Sequence, residues 1–593
     1  MHVTGFNAKM IDLEDFSPDV LKETERAIFL MATYGEGEPT DNAISFTKWM
    51  KNLEKELGPD TLSRLKYSVF GLGNKQYEHY NLMGKLTNSS LEELGATRMF
   101  QYGEGDDDAT LEEDFDAWRA QLWPALTAAF HPDAAVVEEV ANRARLGSMD
   151  THSKIKLDFR AVKTDLKSIT GTAAAAAVDP HTVHASTRHF FTAPRAKIVV
   201  NRELRSTAEK SAAEAGSTRH IEIDLKGVNL HYHTADNLAI LPENSTDNVA
   251  ALAKAQGYDL DYTFVVQKAP NNEDEDFQIS FPSPCTVREA LTLYYDIQGP
   301  VKQALLKHLI PYVTDAEQLA WLNNVLHKDN RALLKALSEE HGKNLVDLLT
   351  NELSSCKIPL SDILHIVPFI QPRYYTISSS SSVHPDNVHV TISITEFEFK
   401  NGKNFTGLTS GYVTSDCINA RVFVRPSSFR LPAQLSTPIV MIGPGTGLAP
   451  MRALLQERKF QQAAQKPATA PKNVLFFGCK HRNVDYIYRD ELEAYQKEGV
   501  LTSYYTAFSR DTKNKVYVQN LMTQPDTAKE LLSLLIDQGA YVYVCGATAM
   551  GTDVMAAFVK IFQEQNNMSA AQATAFVKEL QDKGRYVQEL WTA

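Results

Sequence analysis

Cysteine is scarce: five residues in a chain of 593, at positions 285, 356, 417, 479 and 545, with no two at the spacing of metal ligands. That excludes a disulfide framework and a cysteine zinc site, and it fits a reducing compartment. Long apolar runs are missing as well. Nowhere do about 18 apolar residues follow one another, as a membrane-spanning helix requires. The opening Met1-His-Val-Thr-Gly has no basic region followed by an apolar run. The chain as it stands is therefore expected to be cytoplasmic, without a membrane segment. Basic charge is in deficit, with 60 Lys and Arg against 73 Asp and Glu and a net charge of -13. This argues against general nucleic-acid binding and favours a basic protein partner.

What is present is an ordinary globular composition, 43% hydrophobic and 22% charged. The chain is too long for one core, and usual domain sizes imply about three to five units.

The stretch Pro438-Ile-Val-Met-Ile-Gly443-Pro-Gly445-Thr446-Gly447-Leu-Ala-Pro450 reads as a buried strand running into a glycine-rich turn, with a helix from Met451 to Arg458. Such a turn lets the backbone approach a phosphate, with free N–H groups and the helix dipole pointing at it; a tight strand-to-helix turn is the plainer alternative. Around it, Asn473 to Gly478, Thr502 to Phe508 and Tyr541 to Gly546 read as strands separated by helical stretches, a doubly wound nucleotide-binding sheet. Ser509-Arg510 and Lys515-Val-Tyr517-Val-Gln519 follow the middle strand. Cations and hydroxyls there suit a ribose 2′-phosphate, which favours NADP over NAD.

Toward the amino end, Ala27 to Ala32 and Tyr67 to Phe70 read as strands, and Arg98 to Gln101 as a third, in a parallel α/β pattern. Their loops carry Tyr34 and Tyr77 beside glycines, placed either to sandwich a flat redox ring or to cover the rim of the core. Eight acidic and no basic residues lie between Gly103 and Ala117. They make either a solvated helix start or a docking face for a basic partner. Residues 132–189, with their alanine patch, read as a linker. Residues 190–430 turn to β pattern, interrupted by a helical insertion over about 286–364, and an antiparallel barrel is expected. Arg373-Tyr374-Tyr375-Thr376 offers a cation, an aromatic face and a hydroxyl, and Trp591 near the end is either a core plug or a cover for a flavin ring.

Tyr34-Gly-Glu-Gly-Glu-Pro-Thr-Asp-Asn, Gly71-Leu-Gly-Asn-Lys-Gln-Tyr-Glu-His-Tyr-Asn, Gly105-Asp-Asp-Asp, Arg373-Tyr-Tyr-Thr, Gly443-Pro-Gly-Thr-Gly, Ser509-Arg with Lys515-Val-Tyr-Val-Gln, and Cys545-Gly, in this order, closely resemble the diflavin reductases in their NADPH–cytochrome P-450 reductase branch. The resemblance spans nearly the whole chain. It implies a flavodoxin-like FMN domain at 1–131, a linker at 132–189, a ferredoxin-NADP reductase-like FAD barrel with helical insertion at 190–430, and a Rossmann-like NADPH domain at 431–593.

By the same resemblance, FMN falls to Tyr34, Gly35, Asn74, Tyr77, Asn81 and Asp107. FAD falls to Arg373, Tyr375, Thr376, Thr391, Ser393, Phe397, Gly407, Leu408, Thr409, Ser410 and Trp591, and NADP to Thr446, Ser509, Arg510, Lys515, Tyr517, Gln519 and Asp553. Thr376, Cys545, Glu589 and Trp591 are the implied catalytic group; no metal is implied. The implied activity passes a hydride from NADPH to FAD and electrons through FMN to a haem protein, cytochrome P-450 or cytochrome c, docking near Asp106–Asp108 and Glu112–Asp114. The family works at the cytoplasmic face of the endoplasmic reticulum.

There are departures. Thr376 replaces Ser, Glu589 stands where Asp is common, Ala547 where Asp is usual, and Thr234-Ala-Asp-Asn237 replaces Gly-Asp-His, so no FAD contact is placed there. The family's membrane anchor, first strand and FMN phosphate loop do not precede Ala27. The chain therefore reads as an amino-terminally truncated member, and weak or absent FMN binding is expected. An FAD-only NADPH diaphorase and a non-catalytic interaction partner are the alternatives.

Overall fold

The computed structural model describes residues 11–34, 37–51, 58–75, 79–107, 111–130, 155–159, 183, 187–206, 216–268, 279–415, 417, 419–467 and 471–591.

The amino-terminal unit is built on β1 (Arg26–Tyr34), β2 (Glu38–Pro39), β3 (Lys66–Gly73), β4 (Thr97–Arg98) and β5 (Gly103–Asp106). β1 and β3 run parallel, in register from Arg26–Lys66 to Ala32–Leu72. Alternation along β1 buries Phe29 and Met31 on one face and leaves Ile28 and Leu30 exposed on the other. On its far side, among the described residues, β1 is met only by β2, at Thr33 and Tyr34. The expected third strand at Arg98–Gln101 is split: β4 pairs with the start of β3 and β5 with its end. The break has a local cause, because the Trp118 indole N–H donates to the Gln101 carbonyl at 2.9 Å and takes that group off the ladder. Trp118 belongs to α1 (Leu111–Phe130), whose Trp118, Leu122 and Leu126 close over Phe70.

The central unit carries β6 (Ile155–Phe159), β7 (Arg195–Glu203), β8 (Ser217–Asp224), β9 (Asn237–Leu241), β10 (Thr263–Lys268), β11 (Cys285–Thr286), β12 (Arg373–Thr376), β13 (Asn387–Ile394), the hairpin β14 (Glu396–Glu398) and β15 (Asn404–Thr406), the short helix α2 (Leu408–Thr414), and β16 (Asn419–Arg425). Six strands form an antiparallel sheet in the order β12-β9-β16-β7-β8-β13. Its two outer strands come together at an Ile377–Val390 bridge, so the sheet curls around Ile221, Ile223, Leu238, Ile240, Val388 and Val422. Helices from Val287 to Ile366 fill the expected insertion, packed with β6, β10 and β11. β6 lies inside the interval expected to be linker. The alternating Ile155-Lys-Leu-Asp-Phe pairs with β10 because its period suits an edge strand.

The carboxyl-terminal unit is a parallel sheet, β17 (Ile439–Ile442), β18 (Asn473–Cys479), β19 (Ser503–Phe508), β20 (Tyr541–Ala547) and β21 (Tyr586–Trp591), ordered β19-β18-β17-β20-β21. Its three central strands, β18, β17 and β20, are buried on both faces, which is why they read as largely apolar runs, while the edge strands β19 and β21 are half-buried. Helices α3 (Leu448–Gln465), α4 (Arg489–Lys497) and α5 (Thr548–Asn566) cover it. The strand order reverses at β17, so the crevice between β17 and β20 is the place where such sheets bind ligands.

Candidate active site

Everything predicted for the nucleotide sits at the carboxyl ends of β17 to β21. After β17 the chain makes a 3-10 turn, Gly445–Gly447, and enters α3. A side chain is barred at two of its glycines: a Cβ on Gly443 would lie 2.4 Å from the Gly447 carbonyl oxygen, and one on Gly447 2.0 Å from that of Cys545. The loop is thus pressed against the end of β20, and Thr446 is half-buried at its turn. Ser509, whose N–H donates to the Cys479 carbonyl at 3.0 Å, and Arg510, bonded to Lys480 in the same way at 2.9 Å, follow β19. Arg510 and Lys515 are exposed, and neither has a carboxylate within ion-pair distance among the described residues. Tyr517 is exposed, while Gln519 donates to Asp553 of α5 at 3.0 Å, so two of the predicted positions hold each other.

The predicted catalytic group does converge. Cys545 and Glu589 are cross-strand partners on β20 and β21. Thr376 reaches in from β12 and donates its hydroxyl hydrogen to Glu589 Oε2 at 3.2 Å. Burial, and then the charge of Glu589, push the Cys545 thiol up, so it stays protonated. Trp591, two residues on, is 37% exposed at the end of β21.

Sequence reasoning missed the second partner of Glu589. Ser427 donates to Oε1, and its own oxygen accepts from the Phe429 N–H at 2.8 Å. Behind it Asp236, buried, accepts from the Ser427 N–H at 3.1 Å and pairs with Arg430 at 2.5 Å. Both carboxylate oxygens of Glu589 are thereby fixed. No spacing signal joins residues 236, 376, 427 and 589: the first three come from the curled sheet and its loops, and Glu589 comes from β21 of the nucleotide domain's own sheet.

The flavin-side residues surround the same end of β12. Arg373 points its Nη1 at the Gln371 carbonyl, 2.6 Å away, and has no carboxylate partner among the described residues, which leaves its charge available to a pyrophosphate. Tyr375 packs on the sheet core, and burial raises its hydroxyl to about 12. Gly407 caps α2, with Leu408, Thr409 and Ser410 at its first turn. Ser410 Oγ accepts from the Thr395 N–H at 3.0 Å, which locks the helix start to the end of β13. Phe397 is exposed on the β14–β15 hairpin, 4.9 Å from Phe399 and 4.7 Å from Phe405. Ser393 is exposed on β13. Thr391, by contrast, is buried with its hydroxyl 2.7 Å from the Tyr488 hydroxyl. An unpaired cation, a flat aromatic wall and a glycine-led turn on one curled sheet fit a dinucleotide flavin, and the crowded glycine loop fits the nicotinamide nucleotide.

Of the residues expected for FMN, Gly35, Tyr77 and the side chain of Tyr34 lie outside the described residues. Asn74 is half-buried. Asn81 is buried at φ 53°, and its amide donates to the Gly105 carbonyl at 3.3 Å, joining the loops after β3 and β5. Asp107 is exposed and donates its N–H to Gly73 at 2.8 Å. Asp106, expected on the acidic face, is buried and accepts from the Lys75 N–H at 3.0 Å; it closes the loop rather than facing a partner. Asp108 and the side chains of Glu112 and Glu113 lie outside the described residues.

Comparison with known proteins joins these parts. The NADPH–cytochrome P450 reductase of Drosophila melanogaster is 36% identical over 575 residues, 95% of this chain and 80% of that protein. This chain belongs to the NADPH–cytochrome P450 reductase family. The reductase of Salmo trutta is 35% identical over 603 residues, covering 100% and 92%, and that of Homo sapiens is 35% identical over 599, covering 98% and 83%. Three domain families match in the order of the sheets: flavodoxin at residues 1–118, FAD binding domain at 184–412 and oxidoreductase NAD-binding domain at 441–556. No helix among the described residues is long and apolar enough to cross a membrane.

Proposed function

We propose that this chain is an NADPH-dependent flavoprotein oxidoreductase that receives a hydride from NADPH at FAD and passes electrons through FMN to a haem protein such as cytochrome P-450. The observation that carries the reading is the meeting of Thr376, Cys545 and Glu589 beside Trp591, at the strand ends where the glycine loop turns. The bound flavins supply the redox chemistry, the first accepting an electron pair and the second releasing electrons singly.

The chain's own residues do the rest. Arg510 and Lys515 neutralise the 2′-phosphate, and Ser509 adds a hydroxyl. The turn at Gly443–Gly447 brings backbone N–H groups up to the pyrophosphate. Trp591 covers the flavin position and must swing out, because hydride transfer needs donor and acceptor roughly 3–3.5 Å apart. Glu589, held by Thr376 and Ser427, presents its charge where the nicotinamide becomes cationic. The acidic face includes Asp107 and, by sequence, Asp108 and Glu112–Asp114. It suits a basic haem-protein surface, and we place this work at the cytoplasmic face of the endoplasmic reticulum.

The test is Arg510→Ala in steady-state kinetics with both nicotinamide nucleotides. Losing a charged hydrogen bond worth about 1.5–3 kcal/mol lowers kcat/KM for NADPH roughly tenfold to a hundredfold. The value for NADH, which has no 2′-phosphate, should hardly move. An equal loss with both nucleotides would remove Arg510 from the site.

A further inference from the structure

A second cluster of chemistry-bearing side chains lies on the curled sheet where it meets the nucleotide domain, next to Thr391, the cross-strand partner of His220. His220 and Glu222 stand two apart on β8, on one face, and His389 on β13 is the cross-strand partner of Glu222. Their ligand-type atoms all lie within 4.8 Å of one another. His220 Nε2 is 3.0 Å from one Glu222 oxygen and His389 Nε2 is 3.6 Å from the other.

We propose that His220, Glu222 and His389 form a binding site for a divalent transition-metal ion of the zinc class. Zinc bonds of about 2.0–2.2 Å in a tetrahedron put neighbouring ligand atoms roughly 3.3 Å apart, close to the 3.0 and 3.6 Å between each imidazole and the Glu222 carboxylate. Two imidazoles and a carboxylate are also the donor set that such ions take in preference to calcium or magnesium.

Hydrogen bonding alone leaves this cluster incomplete. His220 can donate to Glu222, but the 3.6 Å from His389 is past a hydrogen bond, and His389 Nε2 is buried without a hydrogen-bond partner. An ion between the three would satisfy it.

On the His220 side the surroundings suit a metal ligand. His220 Nδ1 lies 2.8 Å from the Tyr488 hydroxyl, which fixes the ring and leaves Nε2 facing Glu222. His384 packs its ring 4.2 Å from that of His389. The nearest cation is Arg452, whose Nη1 lies 3.5 Å from His389 Nδ1 and can only donate to it, so ligation through Nε2 requires that contact to be given up and the ring proton to move to Nδ1. Its guanidinium is held without that contact, by the Ser378 carbonyl at 2.7 Å and Glu491 at 2.8 Å. Glu222 is 24% exposed in its side chain and gives the ion a way in from solvent.

The experiment titrates the purified, chelator-treated holoprotein with zinc chloride by calorimetry and measures zinc retained after dialysis. One zinc per chain, with a Kd of about 1 µM or tighter, is expected. Glu222→Gln and His389→Gln should each weaken it at least tenfold while the flavin spectrum is unchanged. X-ray absorption on the zinc-loaded natural chain needs no variant and should show two imidazole ligands. Absence of stoichiometric zinc, a spectrum without imidazole, or binding that survives both substitutions in folded protein would each overturn the proposal. A water molecule bridging the three side chains would give the first of those results.

Discussion

In the proposed mechanism Glu589 is the residue on which the chemistry turns. Its oxygens are spoken for by Thr376 and Ser427, so its charge is fixed in space before any nucleotide arrives, which is how a carboxylate lowers a barrier without reorganising. Glu589→Gln keeps the shape and one acceptor but removes the charge. Flavin reduction by NADPH in a stopped-flow instrument should slow by roughly tenfold to a hundredfold, about 1.4–2.7 kcal/mol, with flavin content unchanged. An unaltered rate would show that the charge is idle. Glu589, Thr376, Cys545 and Trp591 could be proposed from the sequence because each sits in a local motif. Ser427 and Asp236 have no such motif: they reach the site only through strands distant in the chain. The His220–Glu222–His389 cluster was hidden for the same reason. Asp106 misled because a run of acids does not tell which member turns inward to cap a loop.

At the scale of elements, the loop from Gly443 to Gly447 is the most tightly specified. Its close approach to the end of β20 means that Gly447→Ala must push the loop off Cys545, since no side-chain rotation relieves a contact with backbone. NADPH affinity should fall by tenfold or more in a binding titration, and the stability of the nucleotide domain should drop by about 1–3 kcal/mol. An alanine variant with native affinity would show that the loop gives way freely.

The helix His189–Thr192 leading into β7 offers a different lever. His189 stacks on Phe423, 5.6 Å away, and burial, followed by the charges of Arg421 and Arg425, lowers it to about 4. The unfolded chain takes up this proton near pH 6.5, before the folded chain does, so stability is lost as pH falls from about 6.5 to 4, by about 2–3 kcal/mol. His189→Gln should flatten that fall in thermal melts across this window, while an unchanged pH profile would assign the acid sensitivity to other groups. Elements of this kind were readable where period and length agreed, as in β17 and β18. They were misread where a tertiary contact interrupted a strand, as Trp118 does at Gln101.

In the proposed reading the whole molecule sets an entry port for electrons against an acidic exit. Gln588, beside Glu589, donates to Glu38 of β2 at 3.3 Å, and Arg188, ahead of β7, pairs with Asp15 at 3.0 Å. Partly exposed polar contacts of this type each contribute less than about 1 kcal/mol, so they permit the amino-terminal unit to part from the central unit and the nucleotide domain and meet an acceptor. The chain's net charge of -13 then acts at long range on whatever approaches. A basic acceptor such as cytochrome c is steered in, and salt screens that attraction as the Debye length shrinks from about 30 Å at 0.01 M to below 10 Å above 0.1 M. At saturating NADPH, kcat/KM for cytochrome c should therefore fall roughly tenfold across that range. Ferricyanide, an anion repelled by the same field, should react no more slowly as salt is added. If both acceptors respond alike, salt is acting on an internal step and the acidic surface is not the docking face. If ferricyanide is reduced and cytochrome c is not at any salt concentration, electrons leave from the FAD alone.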